Sequence, residues 1–397
     1  MRAGNRVLLG IGGGIAAFKA VEVARLLMER GAEVRAVMSP AAARFITPFS
    51  LENLTNRPVF SDLWSESADG ETHIRLANWA EVLVIAPATM ELIGKLALGL
   101  PDDALTCTAA ACPAPLILAP AMNTVMYEQA VTQTNLRTLR ERGAVVVGPV
   151  EGRLASGGSG LGRMADPDDI VGAVAQTLGR TGDLAGTRLV VTAGPTQEPL
   201  DPVRYVGNRG SGKMGYALAT AARDRGASVT LVSGPTALPA PYGIRVVPVR
   251  TAAEMHDAVL AESDGADALI MSAAVADYRP AQMAEQKIKK GQQSLTLALE
   301  RTVDILGALR RNTGLVKVGF AAETGDPRAE GRRKMHEKGL DLLVANDVSA
   351  GAVFGSDTNH VFILDRDGGM REVGPAPKGE VAEYILDALA PLLRRSA

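Results

Sequence analysis

Gly12-x-Gly14-x-x-Ala17 follows a short apolar run near the start of the chain. Glycines at that spacing let a backbone close on a phosphate at a helix N-terminus. A dinucleotide enzyme would end its next strand in an Asp or Glu for the ribose hydroxyls, whereas Ser39-Pro40 stands there. A hydroxyl suits a phosphate or a ribityl chain, which favours flavin mononucleotide (FMN) over NAD. A second cluster, Gly207-Asn-Arg-Gly-Ser-Gly-Lys213, has the spacing of a P-loop until Met214 replaces the Ser or Thr that would ligate magnesium. Its glycines and Lys213 could still line an anion pocket.

Other loops carry polar groups suited to catalysis. Pro87-Ala88-Thr89 and Pro120-Ala-Met-Asn123 each follow an apolar run, so both should open onto one crevice. Asn123 can donate its amide to a carboxylate without adding charge, which suits an acid that must later leave as carbon dioxide; the plainer role is a helix cap. His73 is one of four histidines, and no pair of them has metal-ligand spacing. By type alone it is a surface residue as readily as a base. Thr192 to Tyr205 is proline-rich and long, as functional loops often are. Lys287, Lys289 and Lys290 cluster, and Lys334 and Lys338 lie four apart. Such lysines are solvated charge or, more sharply, ligands of a triphosphate.

The elements that must hold these groups follow from hydropathy. Arg6 to Ile11 reads as a strand turned by Gly12, Gly13 and Gly14. Ile15 to Arg30 reads as a helix with a polar face at Lys19, Glu22, Arg25 and Glu29. Gly31 stops it, and Val34 to Met38 is the next strand. The same grammar returns at Arg188 to Thr192, a helix over Gly212 to Arg225, Gly226, and Ser228 to Val232. Further apolar runs at 82–86, 116–119, 145–147, 268–272, 316–320 and 340–345 have the look of parallel strands buried on both faces. The expected fold is α/β: two doubly wound Rossmann-like domains joined near Gln176 to Thr187, with ligands beyond the carboxyl ends of the strands.

Composition narrows the function. The 397 residues carry 42 Lys+Arg against 44 Asp+Glu, a balance that argues against a dedicated nucleic-acid binder. Cys107 and Cys112 are the only cysteines, too few for a disulfide framework or a thiolate zinc site. The apolar run after Arg6 is too short for a membrane span and unlike a signal peptide, so a cytoplasmic address is expected.

Taken in order, the motifs resemble the bifunctional phosphopantothenoylcysteine decarboxylase and phosphopantothenate-cysteine ligase family of coenzyme A biosynthesis. The resemblance rests on Gly-Gly-Ile-Ala-Ala at 13–17, Pro-Ala-Thr at 87–89, Pro-Ala-Met-Asn at 120–123, Gly-Arg-Met at 162–164, Thr-Ala-Gly-Pro-Thr at 192–196, Ser-Gly-Lys-Met-Gly at 211–215, Ala-Ala-Val-Ala-Asp-Tyr at 273–278, Lys-Ile-Lys-Lys at 287–290, Gly-Phe-Ala-Ala-Glu-Thr at 319–324 and Ala-Asn-Asp at 345–347. It implies a flavodoxin-like decarboxylase domain over 1–180 and a CTP-binding ligase domain over 187–397. FMN would be held by Gly12, Gly13, Gly14, Ile15 and Ala16 with Ser39, Pro87, Ala88 and Thr89. The flavin would oxidise the thiol-bearing carbon of phosphopantothenoylcysteine, so that the departing carboxylate leaves its electrons on a thioaldehyde. His73 would be the base and Asn123 the carboxylate ligand.

One departure bears on the return of the proton. The family commonly has an acidic Cys before Gly-Arg-Met, and Ser156 stands at that position. An alcohol is a far weaker acid than a thiol of pKa about 8.5. Either Ser156 relays a proton, or water or substrate supplies it, or the reaction stops at the enethiol. A flavin-binding regulatory protein is the rival reading.

For the ligase half, the resemblance implies attack of the 4'-phosphopantothenate carboxylate on CTP, release of pyrophosphate, and attack of the cysteine amine on the acyl-cytidylate. Ser272, Ala273, Thr302, Val303, Asp304, Ile305 and Phe320 would line the nucleotide site. Lys287, Lys334 and Lys338 would contact the nucleotide, with Lys287 also counted as catalytic. Asp277 would hold Mg2+, and Asn208 the activated intermediate. Val303 stands where the family usually has Pro. Trimeric flavin domains with sites completed across subunits, and dimeric ligase domains, complete the implied assembly.

Overall fold

The computed structural model describes residues 4–64, 71–155, 157–289, 295–323, 327–347 and 355–395. The chain divides into two compact units, 1–179 and 180–397.

In the first unit the elements run β1 (Arg6–Ile11), α1 (Lys19–Glu29), β2 (Glu33–Met38), α2 (Pro48–Thr55), α3 (Thr72–Trp79), β3 (Val82–Ala88), α4 (Met90–Leu98), α5 (Ala104–Ala111), β4 (Leu116–Pro120), α6 (Thr124–Glu128), α7 (Ala130–Glu141), β5 (Val145–Val146), β6 (Val150–Arg153), β7 (Ser159–Arg163) and α8 (Pro167–Gly179). Strands β1 to β5 form a parallel sheet in the order β2-β1-β3-β4-β5, the flavodoxin-like order. All seven residues of β3 are buried, as its uninterrupted apolar run requires of a central strand covered on both faces. A short 3-10 turn over Ile15–Phe18 precedes α1, so the helix proper begins four residues later than the polar periodicity predicts. Sequence periodicity also misses β6 and β7, an antiparallel hairpin whose strands are too short and glycine-rich to give an apolar signal.

In the second unit the order is β8 (Arg188–Ala193), β9 (Gln197–Pro199), β10 (Tyr205–Gly207), α9 (Lys213–Asp224), β11 (Ser228–Ser233), β12 (Arg245–Pro248), α10 (Ala252–Ser263), β13 (Ala268–Met271), β14 (Tyr278–Pro280), β15 (Leu299–Arg301), α11 (Ile305–Ala308), β16 (Val316–Glu323), α12 (Pro327–Lys338), β17 (Leu342–Asp347), β18 (Thr358–Asp365), β19 (Met370–Pro377) and α13 (Lys378–Arg395). The main sheet is β12-β11-β8-β13-β16-β17-β18-β19. Its first six strands are parallel in the doubly wound order, with the reversal between β8 and β13. β18 and β19 add an antiparallel edge, so this sheet is mixed where an all-parallel one is expected. The half-buried alternation of Thr358–Asp365 is the period-two mark of such a strand.

Three sequence expectations need correction. Helix α8 runs to Gly179, so the first residues of the expected linker are helical. The loop from Thr192 to Tyr205 is not wholly irregular, because Gln197–Pro199 pairs antiparallel with Tyr205–Gly207. Lys213 is not a free cation: Nζ donates to Gly355 O at 2.8 Å and to Asp357 Oδ1 at 2.6 Å, so its charge already has a partner in the chain. The repeated Arg-Gly-Ala does have the same job in both units. Gly31 and Gly226 follow α1 and α9 at φ +86° and +96°, the left-handed conformation that ends a helix and turns it into the next strand. Among the described residues, no helix is long and apolar enough to cross a membrane.

Candidate functional site

Each main sheet reverses its strand order once, a place where loops can part to leave a crevice. In the first unit the loops after β1 and β3 bound a cavity of about 630 Å³. Gly13, Gly14, Ile15 and Ala16 line it from the first loop and Thr89 from the second, while Met122 and Asn123 come from the loop after β4. The remaining predicted cofactor residues lie outside that lining and support it. The Gly12 N–H donates to Pro87 O at 3.1 Å, and a Cβ on Gly12 would stand 2.4 Å from that oxygen. Ala88 is fully buried in β3. Ser39, 4% exposed, accepts the Ala42 N–H on Oγ at 3.2 Å, and its own N–H donates to Ile11 O. Gly12 and Gly13 are therefore glycines because the β1 loop packs directly on Pro87 and Ala41.

Asn123 has the plainer role and also lines the cavity. Its Oδ1 accepts the Val125 N–H at 2.9 Å, capping α6. The hairpin β6-β7 closes over this cap. Met122 N–H donates to Gly162 O at 3.0 Å, and a Cβ on Gly162 would stand 2.2 Å from Met122 O. Arg153, Leu154 and Ala155 carry the hairpin into the cavity wall, and Arg163 joins them. The composition around residues 150–163 signals this hairpin only through its glycines. Ser156 lies outside the described residues. His73 sits partly buried on α3 and is not part of the cavity lining.

In the second unit a cavity of about 560 Å³ is lined by Ala273, Asp277, Thr302, Val303, Asp304, Ile305, Phe320 and Lys338, eight residues predicted from four separate segments. Asp304 caps α11, accepting the Gly307 N–H at 3.0 Å, and also accepts Lys338 Nζ. Burial pushes its carboxyl up, but Lys338 and the Gly307 N–H pull it down, and the net displacement is below the usual carboxylate range. Ser272, Lys287, Lys334 and Asn208 are not in the lining. Ser272 Oγ is buried without a hydrogen-bond partner, and Lys287 is exposed.

The floor of this cavity is the loop from Ala273 to Ala276, which the Thr-Ala-Gly-Pro-Thr motif holds from below. Thr192 Oγ1 accepts the Ala273 N–H at 3.0 Å and Thr196 Oγ1 accepts the Ala276 N–H at 2.9 Å. Asn208 Nδ2 donates to the carbonyls of Ala274 and Val275 at 3.3 and 3.0 Å, and Thr302 Oγ1 donates to Ala276 O at 2.6 Å. Thr192 and Thr196 are fully buried. Sequence reading marks this motif as a functional loop; it is a scaffold, and its buried hydroxyls do the holding. No group of three or more His, Cys, Asp or Glu could hold a metal among the described residues; the two carboxylates in the cavity lining are Asp277 and Asp304, and Asp304 is paired with Lys338.

Both units match known families. Residues 1–179 match the Flavoprotein family and residues 184–392 the family of the DNA/pantothenate metabolism flavoprotein C-terminal domain. The chain is 46% identical over 367 residues to the coenzyme A biosynthesis bifunctional protein CoaBC of Vibrio vulnificus, covering 91% of each. It is 43% identical to that of Bacillus subtilis, covering 99% of this chain and 98% of the relative, and 45% identical to that of Escherichia coli, covering 97% and 96%.

Proposed function

This chain belongs to the family of coenzyme A biosynthesis bifunctional proteins, and we propose on that premise that its first unit is an FMN-dependent phosphopantothenoylcysteine decarboxylase and its second a CTP-dependent phosphopantothenate-cysteine ligase. The observation that carries the reading is that each unit opens a cavity, at the strand-order reversal in the first and beside β13 and β16 in the second, lined by residues of the motifs that correspond to that activity.

The first cavity suits FMN in its chemistry. Backbone from Gly13 to Ala16 enters a helix, where N–H groups favour a phosphate, and Ile15, Met90, Met122, Met126 and Met164 give an apolar wall for a flat ring. When bound, the flavin supplies a two-electron acceptor for the thiol-bearing carbon, without which loss of carbon dioxide would leave an unstabilised carbanion. Asn123, its rotation fixed by the α6 cap, recognises the substrate carboxylate as a neutral donor and so does not oppose its departure. The β6-β7 hairpin covers the substrate and limits water. His73 acts as the base from another copy of the chain, which its position outside its own cavity supports; the assembly is a homo-oligomer with trimeric flavin domains and dimeric ligase domains.

Lys338 in the second cavity, with Lys334 and Lys287 from outside its lining, would offset the charge of the CTP phosphates as the phosphopantothenate carboxylate attacks. Asp277 would hold Mg2+ together with the phosphates. A magnesium ion commonly takes only one or two protein carboxylates, so one carboxylate fits it. Asn208 and Thr302 keep the Ala273 to Ala276 floor in shape, and the cysteine amine then displaces the cytidylate. A cytoplasmic address goes with this reading.

Purified full-length protein tests the whole reading. It should carry a flavin absorbance spectrum and release pyrophosphate only with CTP, phosphopantothenate and cysteine together. Release with ATP but not CTP would overturn the nucleotide assignment. Flavin that remains reduced after one turnover would mean that the first unit stops at the enethiol, and flavin that the substrate never reduces would make it a flavin-binding regulator.

A further inference from the structure

Asp201 is 2% exposed, although it sits in a loop. Its Oδ1 accepts the N–H groups of Val203 and Arg204, both at 2.8 Å, which is enough to form the local turn. Its Oδ2 does something the turn does not need: it accepts the Ile288 N–H at 3.1 Å, from 87 positions along the chain. Arg204 Nη2 donates to Ile288 O at 3.0 Å, so both backbone groups of Ile288 are held by one turn. Four residues earlier, Ala284 N–H donates to Leu200 O at 3.0 Å.

The segment held in this way has no helix or strand between Ala281 and Lys289. Its order comes from these few bonds. Ile288 is flanked by Lys287 and Lys289, both exposed. A buried carboxylate is costly unless its lone pairs are filled, and three of the groups that fill them are backbone N–H donors. Burial pushes the Asp201 carboxyl up, the donors and Arg204 pull it down, and the net result is a carboxylate below its usual range. It is therefore an acceptor at all working pH values, as the Ile288 N–H requires.

We propose that Asp201 is a positioning residue for the ligase reaction, fixing through the Ile288 N–H the backbone from which Lys287 meets the nucleotide triphosphate. This rests on the reading of Lys287 as a nucleotide contact. Holding the backbone lowers the ordering cost that a lysine on a loose segment would incur on binding.

The test is a double-mutant cycle on the full-length protein, read as kcat/KM for CTP in pyrophosphate release. Lys287→Ala alone should lower it at least about tenfold, and Asp201→Asn alone about tenfold. In the Lys287→Ala background, Asp201→Asn should then cost less than about twofold. An equal cost in both backgrounds would make Asp201 merely structural and overturn the proposal, as would an unchanged rate for Asp201→Asn. A silent Lys287→Ala would instead overturn the reading of Lys287, and the proposal with it. Ile288→Pro removes the donor and leaves Asp201 in place, so it answers the same question should Asp201→Asn fail to fold. Amide exchange at Ile288 should quicken in Asp201→Asn and remain slow in Lys287→Ala, while the amides of β8 and β13 stay slow in both, a pattern that a general loss of stability would not produce.

Discussion

Lys338, at the end of α12, donates to Asp304, the cap of α11, and both residues line the cavity of the second unit, where we propose that CTP binds. A carboxylate beside a triphosphate is repulsive unless it is paired, so Lys338 both offers a charge and cancels one. Lys338→Met should raise the KM for CTP about tenfold, because it removes a contact and exposes Asp304. Adding Asp304→Asn should recover part of that loss, since Asn still caps a helix and carries no charge. Initial rates at varied CTP decide it; a double variant no better than Lys338→Met would refute the role given to Asp304.

The same pair sets a pH dependence. The folded pKa of Asp304 lies below the ordinary carboxylate value, so its contribution to stability is present above that value and is lost as pH falls through the lowered one. Melting temperature of the ligase unit should fall on acidification below about pH 4. The fall should be shallower in Asp304→Asn than in the parent protein, measured by calorimetry at matched ionic strength.

Adjacent glycines in the flavin loop should behave differently. A Cβ on Gly13 would stand 2.3 Å from Ala41 Cβ and 2.8 Å from its carbonyl carbon, whereas on Gly14 the nearest atom is a Thr89 methyl at 3.4 Å. Gly13→Ala should thus displace the loop, cost about 1–3 kcal/mol and lose bound flavin. Gly14→Ala should fold with little loss. Equal flavin occupancy in the two variants, read from the visible spectrum, would show that close packing does not explain Gly13.

These glycines also mark how far the sequence could be read. Strand positions are legible because buried parallel strands are unbroken apolar runs, as β1 and β3 are. That one cavity of the second unit draws on Ala273, Asp277, Thr302 and Phe320 is legible because each stands in a motif the sequence singles out. What stays hidden is the work of groups that look alike in sequence. Gly215 reads as part of a phosphate loop, yet a Cβ there would stand 2.6 Å from Ala193 Cβ, so it serves the packing of α9 on β8. Lys213 reads as an anion ligand and is paired with Asp357. Hairpin β6-β7 and the Thr192 and Thr196 contacts depend on hydrogen bonds between distant segments, and no local period encodes them.

Asn123 carries two roles that substitutions can separate. Asp is as good a cap as Asn, so Asn123→Asp should keep α6 and melt within about 0.5 kcal/mol of the parent. It should nevertheless lose decarboxylation by at least about a hundredfold, because a second negative charge would face the substrate carboxylate. Asn123→Ala should lose the cap, at about 1 kcal/mol, as well as activity. If Asn123→Asp retained carbon dioxide release, the residue would be a cap and nothing more.

Ser156 makes the sharpest chemical prediction, because the residue type alone decides it. Returning a proton to the carbon that lost the carboxylate, next to the thiol-bearing one, needs an acid, and a serine hydroxyl is a far weaker one than a thiol of pKa about 8.5. General acids commonly contribute a hundredfold or more when well matched to the working pH. Ser156→Cys should therefore speed the reoxidation of reduced flavin in a single turnover by at least about tenfold. The rate should also gain a descending limb on the alkaline side, as the new thiol loses its proton near pH 8.5. Stopped-flow absorbance from pH 6 to 10 measures both. Unchanged rates with a flat profile would mean that water or the substrate supplies the proton, and that the serine at this position is no handicap.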